Sequence, residues 1–196
     1  MMGEVLIRRV EERDFPQLGF VAPAAYAAAY HYLWEDPAEL ARHLETFSEA
    51  GFREFAARAD AHLWLAEAEG MPLGFLSMLV GSPDPIEGTQ GGAEIPRIFL
   101  LPNVRRQGIG RRLFAEAVQE GRSQGLGYLW LDAMDSADWA LATYRSWGLA
   151  PIGTTVYPKP VLPQYSGMVV FRMDLEASRE APGVRAPGQP RRPAGG

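Results

Sequence analysis

From Glu94 the chain runs Glu-Ile-Pro-Arg-Ile-Phe-Leu-Leu to Pro102, turns, and restarts through Gly108 and Gly110 as an amphipathic stretch to Ser123. That order, a strand closed by proline, a short turn and a glycine-opened helix, constrains the fold more than any other feature. The first N–H groups of a helix lack internal partners, and the helix dipole concentrates positive charge there. Glycines let an anion approach the backbone, so such a turn is a prepared phosphate site. Arg105, Arg106, Arg111 and Arg112 add charge around it. A basic helix start that is merely solvated is the other reading. A P-loop is excluded, because Arg111 and Arg112 follow Gly110 where Lys and Ser/Thr are required. A dinucleotide fingerprint is excluded by Leu113 in place of its third glycine.

The remaining pattern predicts a strand over residues 5–10 and a helix starting at Asp14 and Pro16 with the carboxylate as cap. Residues 18–34 read as largely helical. A second helix starts at Asp36-Pro37 with Leu40, Leu44 and Phe47 on one face, and Gly51 interrupts before a last helical piece. Residues 62–69 and 73–80 form a predicted hairpin through Glu69-Gly70-Met71-Pro72, and residues 81–92 a mobile Gly/Pro loop. Residues 94–101 are a strand, 108–123 a helix burying Ile109, Leu113, Ala117 and Val118, and 128–133 a strand. Residues 137–147 form a short helix stopped by Gly148, and 149–157 and 167–175 are closing strands. Strands and helices in this order predict one α/β domain, residues 1–176, with a mixed central sheet flanked by helices. The Pro/Gly/Arg-rich residues 177–196 cannot build a core and are expected to be disordered.

The net charge is −5, and residues 177–196 contribute four Arg and one Glu, so the body is more acidic still. That disfavours nucleic acid as a partner. The absence of cysteine excludes thiolate nucleophiles, thiolate metal sites and disulfides. No signal-peptide core and no apolar run of about 18 residues occurs, so no membrane association and a cytoplasmic setting are expected. The three histidines are scattered without ligand spacing, and no metal is expected.

Arg105-x-x-Gly108-x-Gly110 resembles the coenzyme A signature of the GNAT N-acetyltransferase superfamily. The strand before it, and Leu129-Trp-Leu-Asp with Tyr144-Arg-Ser-Trp-Gly-Leu after it, resemble that family's fourth strand, fifth strand and fourth helix. The resemblance implies the GNAT acyl-CoA N-acyltransferase fold, acetyl-CoA as co-substrate and an amine acceptor; a homodimer is also compatible with it. It implies that the pyrophosphate is held at Arg105, Arg106, Gln107, Gly108, Ile109, Gly110 and Arg111. Ile98, Phe99 and Leu100 match the positions that pair with the pantetheine arm, although they also suit a plain buried strand.

Acetyl transfer needs a base for the amine and a proton for the departing sulfur. The resemblance assigns the acid to Tyr144, which also suits a core aromatic beside Ala140, Leu141 and Trp147. Glu94 and Asp132 match positions used for the base; each also suits a solvated carboxylate, and a water chain is a further option. Ala137 stands where an asparagine commonly contacts the coenzyme, which leaves open a non-catalytic acyl-CoA sensor. Tyr26, Tyr30, Tyr32 and Trp34 lie in the helices that wall the acceptor site in the family. The chain further resembles the PaiA-type polyamine acetyltransferases, implying a small amine such as spermidine, with Glu35, Asp36, Asp84 and Glu87 available to attract it. A peptide N-terminus is the alternative acceptor.

Overall fold

The computed structural model describes residues 3–175, so the expectation for residues 177–196 lies outside them. Seven strands form one sheet in the order β1-β2-β3-β4-β5-β7-β6. They are β1 (Val5–Arg9), β2 (Ala61–Ala68), β3 (Met71–Val80), β4 (Gly92–Leu100), β5 (Tyr128–Met134), β6 (Ala150–Val156) and β7 (Gly167–Asp174). Helices α1 (Phe15–Tyr30), α2 (Pro37–Glu45) and α3 (Glu49–Ala56) precede β2; α4 (Ile109–Ser123) and α5 (Asp138–Ser146) flank β5. Among the described residues no helix is long and apolar enough to cross a membrane.

The expected mixed sheet is present, and its helices form two apolar layers. On one side α4 presses Ile109, Leu113 and Ala117 onto Leu76, Ile95, Leu129 and Leu131. On the other, Leu18 and Ala22 from α1, Phe52 from α3 and Phe47 from the turn between α2 and α3 meet Leu65 and Phe75. The β2–β3 hairpin turns on Glu69 and Gly70, both with positive φ, which suits a two-residue connection matching the sheet twist.

Three local expectations need correction. Asp14 does not cap α1: its carboxylate accepts two bonds from Arg8 and one from the Glu11 N–H, tying β1 to the helix start. Gly51 does not interrupt a helix but lies in the first turn of α3, because Ser48 caps that helix by accepting its N–H at 3.2 Å. The loop before β4 is not left free, because Asp84 staples it. That carboxylate is 1% exposed and accepts from the Glu87 and Ile86 N–H groups and the Thr89 hydroxyl, with Arg172 at 3.7 Å.

Burial alone would raise the Asp84 pKa, but these donors and the Arg172 charge hold it below its ordinary value. Its contribution is therefore present above the usual carboxylate range and lost as pH falls through the depressed pKa. Asp84→Ala is expected to destabilise the fold by about 2 kcal/mol at pH 7, since several bonds to one buried charge are lost together. Thermal denaturation read at pH 7 and at pH 3 checks this, the gap between variant and parent narrowing in acid.

One irregularity positions the site. Strands β4 and β5 run parallel but pair only from Gly92↔Tyr128 to Glu94↔Trp130, and then diverge. On the opposite edge of β4, Glu94 pairs with Leu79 and Arg97 with Ser77, so Ile95 and Pro96 together face Met78. Pro96 has no N–H to give the ladder, and an extra residue kinks a strand and reverses which side its neighbours face. Ile95 joins the α4 layer, whereas Phe99 joins the α1–α3 layer and Arg97 lies over the Phe47 ring.

Candidate active site

Past the bulge β4 stays bonded to β3 through Leu76↔Ile98, Phe75↔Phe99 and Gly74↔Leu100, while its other edge is unpaired by β5. Backbone donors and acceptors left in this way accept an added strand-like ligand. They open onto a cleft of about 670 Å³ walled by Ile98, Phe99 and Leu100, by the turn through Arg105, Arg106 and Gly108 into Ile109, Gly110 and Arg111, and by α5. The sequence placed these residues together, and the structure brings them to one surface.

The turn is shaped for an anion. Arg106 has φ 62° and Gly108 φ 76°. Alternating left-handed residues turn successive N–H groups inward as an anion-binding nest. A left-handed non-glycine residue costs roughly 1–2 kcal/mol, so Arg106 is held there by its surroundings. A Cβ on Gly108 would meet nothing within 4 Å and would stand in the cleft mouth. Gly110 is needed for a different reason: a Cβ there would lie 3.2 Å from two ring carbons of Trp147. The residues present thus fit a diphosphate laid against the start of α4.

The charges around the turn divide. Arg105 donates weakly to the Leu100 carbonyl, at 3.4 Å, and its guanidinium lies 5.4 Å from the Trp139 ring. Arg111 lines the cleft, but Arg112 turns away and donates to the Val5 carbonyl at 2.8 Å. The Gln107 side chain is also turned aside, donating to the Asn103 carbonyl at 3.3 Å, which leaves only its backbone available to a ligand.

Helix α5 supplies Trp139, Ala140, Thr143, Tyr144 and Ser146 to the opposite wall, and its C-cap residue supplies Trp147. Tyr144 packs against Trp147 and Phe171 at 5.5 and 6.0 Å between ring centroids, and its hydroxyl bonds to no side chain or backbone group among the described residues. Burial, with the charge of Asp132 added, pushes its pKa above the ordinary tyrosine value, so it keeps its proton at neutral pH. Ala137 is 1% exposed in the core at the foot of α5, and Trp139 and Thr143 take the wall instead.

A second cavity, about 120 Å³, adjoins the first through Phe99, which lines both. Its walls are Tyr26, Tyr30, His43, Phe47, Arg97, Asp132 and Tyr157 with Leu33, Pro96, Ala133, Met134 and Met168. Burial, reinforced by the Glu94 charge, pushes the Asp132 pKa up to about 6. Glu94 is also raised by burial, but its carboxylate accepts from the Ser82 hydroxyl at 3.0 Å and it lines neither cavity. Trp34 backs the pocket, stacked on His43 and donating to the Tyr26 hydroxyl at 3.3 Å, while Tyr32 turns to Ser136.

Sequence reasoning missed Arg97, His43, Tyr157 and Trp139. His43 lacks metal-ligand spacing, yet it sits three residues after Leu40 and four before Phe47, on the apolar side of α2. That spacing was the available signal. Burial, with Lys159 and Arg97 nearby, lowers its pKa to about 4, so its ring is neutral at pH 7. The carboxylates named for attracting a polyamine are engaged elsewhere or lie off the pocket walls. Asp36 caps α2, Asp84 staples its loop, Glu87 pairs with Arg172, and Glu35 lines neither cavity.

The sequence model of the acetyltransferase (GNAT) family matches residues 26–149. An uncharacterized N-acetyltransferase in the pepI 3′ region of Lactobacillus delbrueckii subsp. lactis is 27% identical over 157 residues, covering 80% of this chain and 90% of that protein. The PaiA N-acetyltransferase of Thermoplasma acidophilum, solved with coenzyme A, superposes with a TM-score of 0.70 at 17% identity, covering 87% of this chain and 99% of that one. The ribosomal-protein-S18-alanine N-acetyltransferase of Escherichia coli gives 0.66 at 19% identity over 92% and 100% of the two chains.

Proposed function

The chain belongs to the GNAT family of acetyl-CoA-dependent N-acetyltransferases, and from that premise we propose that it acetylates a small primary amine by direct attack, with Asp132 as base and Tyr144 as acid. The observation that carries this reading is the pair of cavities meeting at Phe99. One is shaped for a diphosphate and an extended arm, and the other is small, aromatic and floored by a carboxylate. Acetyl-CoA supplies the activated acyl group; the chain's own residues bind, orient and move protons.

The open edge of Ile98–Leu100 pairs with the pantetheine arm, and the N–H groups of the Arg106–Gly110 turn hold the pyrophosphate. Free alkylamines are mostly protonated at pH 7, so a nearby base is required. Asp132, poised near pH 6, takes that proton inside the acceptor pocket. Glu94 acts through it, raising the affinity of Asp132 for a proton. Tyr144, neutral on the cofactor wall, donates to the sulfur as negative charge builds there. The small volume of the pocket, about 120 Å³, favours a compact amine over a peptide chain.

Two measurements test the reading. Coenzyme A should raise the melting temperature of the wild type, and Gly108→Val, which puts a branched side chain at the phosphate turn with unfavourable φ, should abolish most of that rise. Thiol release from acetyl-CoA should then depend on an added amine. No stabilisation by coenzyme A and no amine-dependent thiol release would reject it.

A further inference from the structure

Arg97 has no role in the reaction derived above, yet the β4 bulge delivers it to the acceptor pocket. Its guanidinium is fixed in place: it donates to the Thr46 carbonyl at 2.9 Å and the Thr46 hydroxyl at 3.1 Å, and lies 4.4 Å from the centroid of Phe47. An arginine carries five N–H donors, so donors remain beyond the two that Thr46 receives. No carboxylate among the described residues forms an ion pair with it. Arg8, Arg9, Arg13, Arg42, Arg53, Arg58 and Arg172 have one; Arg105, Arg106, Arg111, Arg112, Arg122 and Arg145 also lack one among the described residues, but none of these lines the acceptor pocket.

Arg97 is half-buried, and burial acts to lower its pKa. Partial loss of water around a charge without a carboxylate partner is costly, and arginine does not shed its proton to escape. A planar guanidinium fixed at a pocket wall is the usual receiver of a carboxylate. The ring groups on the pocket wall are neutral, since His43 is uncharged at pH 7 and Tyr26, Tyr30 and Tyr157 keep their protons, while Lys159 adds a second positive charge near His43. The buried Nδ1 of His43 has no hydrogen-bond partner, so the pocket holds an unsatisfied polar atom as well as a cation without a carboxylate. Asp132 is the only carboxylate among the residues lining the pocket.

We propose that the acceptor is an amino carboxylate, a small molecule bearing both the primary amine that Asp132 deprotonates and an anionic carboxylate that Arg97 receives. Its apolar body lies against Tyr26, Tyr30 and Phe99. The proposal rests on the acetyltransferase reading and narrows its substrate class. A polyamine is disfavoured by the same geometry, because its second ammonium would enter a pocket that already holds a guanidinium and offers no second carboxylate.

The test compares matched amines that differ only in the carboxylate: phenylalanine with phenethylamine, β-alanine with ethylamine, and spermidine beside them. At neutral pH the wild type should favour the carboxylate member of at least one pair by about tenfold or more in kcat/KM, the scale of a charge-assisted bond. Arg97→Gln should bring that ratio close to one, and Arg97→Lys should restore part of it, with circular dichroism confirming that both variants fold. Calorimetric binding of the N-acetylated products to the enzyme with coenzyme A reads the same preference without turnover.

A wild type that prefers spermidine or the amines without carboxylate overturns the proposal. So does a ratio that survives in Arg97→Gln, or calorimetry showing no carboxylate preference. Failure of coenzyme A to stabilise the protein, with no amine acetylated, strikes instead at the acetyltransferase reading.

Discussion

Asp132→Asn is expected to lower kcat by about 10²–10³-fold at pH 7.5 while making the protein more stable, since a positioned base contributes roughly 10²–10⁴-fold. The two effects share one cause. Asp132 has its pKa raised from 3.8 to about 6 by burial and by the Glu94 charge, so the folded state resists its ionised form. A raised folded pKa means the favourable protonated form is fully populated below pH 4, and that advantage is lost as pH rises through about 6. Above that point the ionised carboxylate costs the wild type roughly 2–3 kcal/mol. Asparagine has the same shape without the charge. The melting temperatures of variant and parent should therefore separate above pH 6 and converge below pH 4. In the wild type kcat/KM should fall as pH drops through about 6, reporting the free enzyme's base. Unchanged activity in Asp132→Asn would move the base to Glu94 or to water, and melting curves that stay parallel across this range would refute the electrostatic argument.

Tyr144→Phe should lower kcat by about 10²-fold, again the scale of positioned proton donation, with the KM for acetyl-CoA changed by no more than about twofold. The split is diagnostic. The ring packs on Trp147 and Phe171, and phenylalanine keeps those contacts, so cofactor binding and folding should be nearly untouched. The hydroxyl bonds to no protein group among the described residues, so under the proposed acid role its loss removes only an interaction made as the sulfur acquires charge. A mutation with that property reduces kcat and kcat/KM together. Steady-state thiol release from acetyl-CoA with an accepted amine measures both constants. If the KM for acetyl-CoA rises in step with any fall in kcat, the tyrosine is a wall of the cleft and nothing more.

Much of this site was legible because it is written in local punctuation. Pro102, Gly108 and Gly110 mark where a strand stops and a helix opens, and those marks depend only on backbone chemistry. The apolar periods of α4 and α5 carried Leu113, Ala117 and Ala140 to their buried faces for the same reason. What escaped is non-local. No periodicity reveals that β7 inserts between β5 and β6, because that order is set by long-range pairing. A period of two along β4 puts Ile95 and Arg97 on the same face; the bulge at Pro96 separates them, and it becomes visible only when β3 is laid alongside. Asp84 read as a loose surface charge because its donors, apart from Arg172, are close-by loop groups whose arrangement the sequence does not announce.

The brevity of the β4–β5 pairing has a mechanical corollary. Three residue pairs stitch β1–β4 to β5–β7, and beyond Glu94↔Trp130 the seam gapes. A molecule hydrogen-bonded along Ile98–Leu100 and packed against α5 sutures the two halves. Amide exchange in the upper parts of β4 and α5 should slow together when coenzyme A is added, and far more than in the β2–β3 hairpin.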